Sequence, residues 1–502
     1  MRFLPCGERA VLIEFAELTE VLAAEARLRD RVTSGEPPWR RVVDIVAAQR
    51  TLLVTHHPGD LRSVLEAALD GLRPELPVPQ DEVVIDVLYD GEDLAEVAEL
   101  TGLSVSGVVA AHTSTPWRVA FGGFAPGFAY LVGGDPRLAV PRRSIPRSRV
   151  PAGSVGLADR FSGVYPTASP GGWQLIGRTD ATLFDADAEP PALLKPGSLV
   201  RFRSVRTLAT PTRRSPAATV VAGRAITVEH TVFPLTVQDR GRPGRAAMGV
   251  GVSGAADRGA YRRGALLVGN RAGEAALEIT MGQCVLQAVG TLTIALTGAR
   301  CPADVDGHPV PMGHPLLLPD GARLTLGTPS SGLRTYLSVA GGIDTAPVLG
   351  SRSFDTLGRI GPEPCTAGAV IPVGETAAGW GRPVPSEPPR RDAGILRYVP
   401  GPREDWVQDL AGSHWQVSPE VDRVGVRLVG DPLPRRSGEL PSEPVVAGTI
   451  QVPPSGLPVL FLADHPLTGG YPVAAVLTEE AIDLAAQLRP GEEVVLLPID
   501  GR

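Results

Sequence analysis

The feature that most restricts the fold is punctuation: 58 glycines and 50 prolines interrupt a chain of 502 residues. Glycine opens backbone conformations that other residues avoid, and proline fixes φ and removes a donor, so both gather in turns. No tract is biased enough to read as low complexity. The density therefore predicts many short strands joined by tight turns. The length exceeds one compact core and implies two to four domains. An apolar fraction of 43% with mixed charge places the chain in the soluble globular class. A net charge of −7 without a basic stripe argues against nucleic acid as a partner. No apolar run approaches the roughly 18 residues a bilayer requires, so no membrane partner is expected, and 457–463 reads as a buried strand. Residues 1–15 (MRFLPCGERAVLIEF) read as a first strand rather than a signal peptide. Cys6, Cys284, Cys301 and Cys365 are scattered without a CxxC, the pattern of reduced buried thiols in a cytoplasmic protein.

A single lysine, Lys195, stands among the 48 basic residues. A nucleotide-binding P-loop needs lysine after glycine, whereas Leu194 precedes this one. Its context, Leu-Leu-Lys-Pro-Gly, does not match the hairpin tip that carries biotin. ATP or biotin, if used, is therefore expected to be bound largely by another chain. The eight histidines contain no HExxH and suggest no metal site.

Along the chain, residues 1–80 alternate strand and helix signals, with helical spacing over 18–32 and 61–72, and predict a small α+β domain. Residues 81–206 open with a strand at 83–88 and helices at 93–100 and 105–111, the second capped by Ser104 or Ser106. They then become strand-rich. Segments 207–224 and 381–394 read as linkers, leaving 225–380 and 395–502 as two further β domains. A spaced theme supports three copies of one β module. Gly171-Gly172, Gly341-Gly342 and Gly469-Gly470 each precede a closing strand that starts near a glycine: 196–202, 367–373 and 490–497.

Several clusters are candidates for chemistry. Residues 122–131 (GGFAPGFAYL) combine glycines with Phe124, Pro126, Gly127 and Phe128, suited either to gripping a flat ligand or to plugging a barrel end. Arg142 and Arg147 lie in a proline-framed basic segment that fits carboxylate or phosphate, or else a solvated face. It runs into Gly153 and Ser154, whose spacing is not that of a nucleophile elbow. Gln238-Asp239-Arg240, Ser351-Arg352 and Asp422-Arg423 are acid–base or polar pairs that equally serve turns. The GVGVSG at 249–254 matches GxGxxG formally, but no convincing strand leads into it; a helix at about 255–267 follows, whose N-terminus suits an anion.

Taken together, YDGEDLAEVAELTGL (89–103), GGFAPGFAYL (122–131), DPRLAVPRRSIPRSRVPAGSVG (135–156) and YPTASPGGWQLIGR (165–178) resemble the B subunit of the ATP-hydrolysing 5-oxoprolinases. That family is also called KipI or allophanate hydrolase subunit 1. LTVQDRGRPG (235–244), LLVGN (266–270), LEITMG (277–282), YLSVAGGIDTAPVLGSRS (336–353), VSPEVDRVG (417–425) and GELPSEPVVAGTIQVP (438–453) resemble the C subunit, the KipA or allophanate hydrolase subunit 2 family. The chain is thus similar to a B–C fusion. The resemblance implies a mostly β protein: an α+β N-terminal domain, then tandem cyclophilin-like β-barrels, one in the B-like half and two in the C-like half. The same pair forms the carboxyltransferase part of urea carboxylase. This sequence departs from the family at 252–257 (VSGAAD), Pro444 and Asp464–Leu467, which leaves substrate identity open.

The resemblance implies ATP-dependent opening of 5-oxoproline to glutamate with a separate A subunit of the LamB/YcsF family. ATP and Mg²⁺ would act in the assembled enzyme, with no covalent biotin on this chain. Asp239, Arg240, Asp422, Arg423 and Glu443 are the candidate catalytic residues. Substrate would be held by Phe124, Pro126, Gly127, Phe128, Arg142, Arg147, Gly153, Ser154, Gly172, Trp173, Gln238, Ser351, Arg352, Gln451, Gly470 and Tyr471. Two other functions fit the family: carboxyl transfer from carboxybiotin to urea or another amide, and KipI/KipA-type regulation of a histidine kinase. Homo-oligomerisation is open.

Overall fold

The computed structural model describes residues 1–74, 79, 81–208, 223–375, 394–438 and 440–499. Both segments read as linkers fall almost wholly outside these. Strands account for 38% of the chain and helices for 15%, so a strand-dominated fold with barrels in tandem is what forms.

The first unit is a four-stranded antiparallel sheet in the order Arg2–Pro5, Ala10–Glu14, Thr51–His56, Val42–Ala47. Helix Leu18–Thr33 buries Leu18, Val21, Leu22 and Leu28 into one core with sheet residues, the spacing of a one-faced helix. Helix Arg62–Leu69 adds Leu65 and Leu69. The α+β order and both helices match the sequence.

The second unit is a seven-stranded sheet from Glu82–Val87 to Leu199–Ser204. Its first and last strands in sequence lie side by side in parallel, and paired 2.9 Å backbone hydrogen bonds between Leu88 and Arg178 join its two edges into a barrel. Helix Leu94–Thr101 is followed by helix Val105–Ser114, whose N-cap is Ser104: its Oγ accepts from Gly107 N at 3.0 Å. Beyond residue 223, sheets of six and five strands face each other around one apolar core. Residues 394–499 then form a closed seven-stranded barrel, again with its first and last strands, Ile395–Pro400 and Glu493–Pro498, in parallel.

The glycine-pair theme is a true correspondence in two of its three places. Gly171 ends a strand paired with Arg147–Val150, and Gly469 ends a strand paired with Glu443–Pro444. The closing strands at 199–204 and 493–498 share the parallel pairing just described. The middle copy differs: Val370–Pro372 pairs antiparallel with Ala225–Thr231.

The units are not beads. Val46 and Leu53 of the N-terminal sheet share a core with Val399, Val445, Val473 and Val476 of the last barrel. On its other side the N-terminal core runs on into Phe121, Phe128, Tyr130, Phe161, Tyr165 and Trp173 of the first barrel. A polar clip ties the sheet to the middle of the chain, where Asp44 accepts from Gly244 N at 2.7 Å and from Ala246 N at 3.1 Å. Removing that acceptor orphans two backbone donors. Asp44→Ala is expected to lower unfolding free energy by about 1–3 kcal/mol, read as a lower urea midpoint.

Candidate active site

The GGFAPGFAYL loop meets the second half of the chain directly. Gly127 N donates to Met248 O at 2.9 Å. Gly249 has φ +76°, and a Cβ there would lie 2.3 Å from Ala125 O, so only glycine permits this approach. The GVGVSG segment is therefore a contact between halves rather than a dinucleotide turn. A 3-10 turn, Ala246–Met248, leads into it instead of a strand. The helix that follows begins at Arg258, with Asp257 Oδ1 accepting from Ala260 N at 2.7 Å.

Behind this contact, Asp239 is a buried hub. Oδ1 accepts from Gly241 N at 2.7 Å and from the hydroxyls of Ser351 and Ser353 at 2.6 Å each; Oδ2 accepts from Arg352 N at 2.7 Å. Gln238 is buried beside it, donating to Phe354 O at 3.0 Å. The hub joins the QDRG and SRS motifs, more than a hundred residues apart in sequence. Arg240 points outward and is exposed, while Arg352 spends its guanidinium on Asp344 at 2.9 Å and Thr345 O at 2.7 Å.

Arg423 lies between the second and third barrels and is 6% exposed. Its Nε and Nη2 grip Asp464 at 2.8 and 3.0 Å, Nη1 donates to Glu278 at 2.5 Å, and Nη2 also reaches Gly254 O at 2.6 Å. Asp464 further accepts from Ser253 Oγ at 2.6 Å and from Thr356 N and Oγ1 at 2.9 and 2.8 Å. Glu278 accepts from Tyr336 OH at 2.7 Å. Burial alone would raise the pKa of Asp464 and Glu278, but Arg423 overrides it and holds both below the usual carboxylate range. All three guanidinium nitrogens of Arg423 are bonded to protein, which fixes the two barrels to each other. Neighbouring Asp422 caps a turn, its Oδ1 accepting from Val424 N at 2.8 Å and Gly425 N at 2.9 Å.

The carboxyltransferase domain model for subdomains A and B matches residues 248–498, and that for subdomains C and D matches residues 1–194. The chain belongs to the carboxyltransferase-domain family. It is 37% identical over 279 residues to the C subunit of 5-oxoprolinase from Escherichia coli K12, a stretch that is 52% of this chain and 86% of that protein. It is 40% identical over 208 residues to the B subunit of 5-oxoprolinase from Escherichia coli O157:H7, covering 39% of this chain and 92% of that one. The crystal structure of TTHA0988 superposes with a TM-score of 0.87 at 35% identity, covering 98% of this chain and all of that one. A B-like half followed by a C-like half is thus the organisation of this carboxyltransferase-family chain.

The corresponding ribbons of the two halves carry the same ion pair with its charges exchanged. In the B-like half, Asp93 N bonds Leu175 O, and Asp93 accepts from Arg147 at 2.8 and 3.0 Å and from Arg143 at 2.7 Å. In the C-like half, Arg403 N bonds Val473 O, and Arg403 forms a two-toothed bridge to Glu443. Each pair fastens its ribbon to the segment after the barrel's first strand. Arg403 also reaches Glu14 of the N-terminal sheet at 2.7 Å. Arg147 and Glu443 are thereby engaged with protein.

Other candidates sit nearer the opening. Tyr130 is buried with its hydroxyl beside Arg142 of its own half and Ser442 of the other. Arg142 is exposed. Gln451 is buried and donates to Tyr471 O at 2.9 Å, while Tyr471 itself is 45% exposed next to Gly470. Trp173 is buried against Phe128 and Tyr130, at ring separations of 5.6 and 5.5 Å, and Phe124 lies 4.8 Å from Phe128. Gly172 abuts Pro146. Gly153 turns the chain against Thr179 O, and Ser154 begins a buried strand, Ser154–Ala158, away from solvent.

Sequence patterns do not nominate Arg242, Asp355, Asp464 or Glu278 as site residues, although Asp464 stands in a stretch that departs from the family. Arg242 has a local signal, since it ends the same QDRGR string; the acids have none, because their partners are distant in sequence. A buried Tyr89–His112–Ser162 chain, with contacts of 2.7 and 2.8 Å, superficially resembles a catalytic relay. Burial drives the His112 pKa down to about 3, and the ring stacks on Phe202 at 4.3 Å, which makes it a structural linkage.

Breaking a buried pair from one side leaves an uncompensated charge. Arg423→Ala is expected to cost about 3–5 kcal/mol, seen as a large drop in Tm. Because the Asp464 and Glu278 pKa values are depressed, their contribution is present above the unfolded carboxylate range and is lost as pH falls through the folded values. Wild type should therefore lose stability in acid more steeply than an Asp464→Asn, Glu278→Gln double variant.

Proposed function

We propose that this chain is the joined B and C component of an ATP-dependent 5-oxoprolinase, opening 5-oxo-L-proline to L-glutamate with a separate A subunit of the LamB/YcsF family. The observation that carries the reading is the junction itself. Halves similar to two separate 5-oxoprolinase subunits stand in one chain, and the aromatic Phe-Ala-Pro-Gly-Phe loop of one half seats on the glycine segment of the other. Such a junction offers flat apolar walls beside polar groups, which suits a small planar amide.

A lactam is stabilised by resonance, so its opening calls for activation, and ATP supplies this by making the carbonyl oxygen a leaving group. The residues of this chain fit nucleotide poorly. Lys195 is exposed on a turn, Gly249 of the GVGVSG segment is packed against Ala125 of the other half, and Arg147, Arg403 and Arg423 are held by carboxylates. Among the described residues no three His, Cys, Asp or Glu side chains converge as metal ligands. We therefore assign Mg²⁺-ATP to the A subunit, and to this chain the binding and orientation of the amide and the exclusion of water.

The family's carboxyltransferase description favours a second reading, transfer of a carboxyl from carboxybiotin, borne by another protein, to urea or a related amide. Kinase regulation is disfavoured by the fusion, which leaves inhibitor and antagonist permanently joined. With the A subunit, Mg²⁺-ATP and 5-oxoproline, the chain is expected to release glutamate and ADP in equal amounts. Absence of glutamate, together with a co-purifying biotinylated protein detected by streptavidin, would transfer the assignment to the second reading.

A further inference from the structure

The N-terminal unit carries an open cavity of about 160 Å³ that shares no residue with the junction described above. It lies where the first hairpin, Arg2–Pro5 with Ala10–Glu14, meets the turn from strand Thr51–His56 into helix Arg62–Leu69. The floor is buried, made by the apolar Ala10, Val11 and Leu61 together with His56. The rim is exposed and charged, with Glu8, Asp60 and Arg62. An apolar floor under a few polar groups is the usual make-up of a small-molecule site.

His56 supplies the deciding polar group. It is 8% exposed, and its Nδ1 lies 2.9 Å from His57 O. A carbonyl oxygen only accepts, so Nδ1 holds the proton and Nε2 of the neutral ring presents a lone pair. Among the described residues nothing bonds Nε2, and the atom is not sealed from the cavity. The acids beside it have acceptor capacity to spare. Among the described residues Glu8 accepts only from Glu479 N, at 3.3 Å. Asp60 takes Arg62 N at 3.0 Å on one oxygen and Ser63 Oγ at 3.1 Å on the other, which leaves each a further lone pair. The nearby cations are engaged or set aside: Arg62 gives Nε to Glu66 at 2.8 Å, Arg9 is bridged to Glu479 at 2.7 Å, and Arg41 packs against Gly59.

We propose that this cavity binds a small primary ammonium ion, with His56 Nε2, Glu8 and Asp60 accepting its N–H groups and its aliphatic body lying on Ala10, Val11 and Leu61. An ammonium has three donors and no acceptor, so three acceptors around an apolar floor are its complement. A cavity of this volume takes a ligand of about six non-hydrogen atoms, which makes the body about four or five carbons long. The site is independent of the amide chemistry proposed above. Glu8 also ties the first hairpin to helix Glu479–Ala485 of the last barrel, so an ammonium drawn to Glu8 acts on a contact between the two ends of the chain.

The test titrates the full chain with n-butylammonium, 1-butanol and butyrate at about pH 8, where a free imidazole is neutral and an alkylammonium is still charged. Binding is read by ligand-observed NMR. Wild type should bind butylammonium about tenfold more tightly than butanol, the margin of a charge-assisted hydrogen bond over a neutral one, and should not bind butyrate. The ¹⁵N resonance of His56 Nε2 should move as the ammonium is added. Glu8→Gln, on the exposed rim, should keep the wild-type Tm and weaken the ammonium about threefold while leaving butanol unchanged. His56→Phe keeps a ring in place and removes Nε2, and should weaken the ammonium about tenfold. If that variant does not fold, Glu8→Gln and the His56 resonance still decide. Equal affinity for butylammonium and butanol, tighter binding of butyrate, or a His56 resonance that stays still while the ammonium binds overturns the proposal.

Discussion

The buried cation Arg423, shared between Asp464 and Glu278, is the constraint around which the C-like half is arranged. Bringing three charges out of water costs several kcal/mol per ion before any attraction is recovered. The cost is offset only because each charge is saturated: Ser253 and Thr356 complete Asp464, Tyr336 completes Glu278, and Gly254 O takes a remaining guanidinium proton. Such a network adds little net stability compared with a well-packed apolar core. What it does is forbid alternatives, since any slip of one barrel against the other strands a charge. Arg334 extends the same logic, donating to Asp422 O at 2.9 Å and to Ala486 O across the barrel boundary.

That rigidity has a consequence for the junction with the B-like half. Ser253 and Gly254, held by Asp464 and Arg423, terminate the glycine segment that begins at Gly249. The segment on which the aromatic loop sits is therefore anchored at its far end by the ion network. On the other flank, Asp239 fixes Gly241 and the two serines, so the strand of chain carrying Arg242 is tied down as well. Between these two anchors lie the unpartnered Nε and Nη1 of Arg242.

The N-terminal α+β unit explains how two halves that resemble separate proteins can share one interface. It presents one face to the first barrel and the other to the last, with Arg403 joining Glu14 and Glu443 across that second boundary. The exchanged charges of Asp93–Arg147 and Arg403–Glu443 fit the same picture. A ribbon at the barrel mouth needs a fastening, and the geometry is satisfied by either polarity so long as the partner changes too.

Much of this was open to local reading. Glycine and proline density foretold short strands and turns, helical spacing located Leu18–Thr33 and Arg62–Leu69, and Ser104 announced a helix start, because each depends on residues within a few positions of one another. The long motifs likewise carried the family. The state of each arginine was decided elsewhere. Arg142, Arg147, Arg240, Arg242 and Arg423 look alike in a sequence. Which is sheathed in carboxylates, which faces water and which is buried with idle donors follows from sheet pairings that bring Asp93, Glu278, Asp355 and Asp464 across long stretches of chain. Sequence alone fixed the local bends and the kinship; tertiary structure alone set the charges' partners, since an electrostatic environment is a property of distance in space.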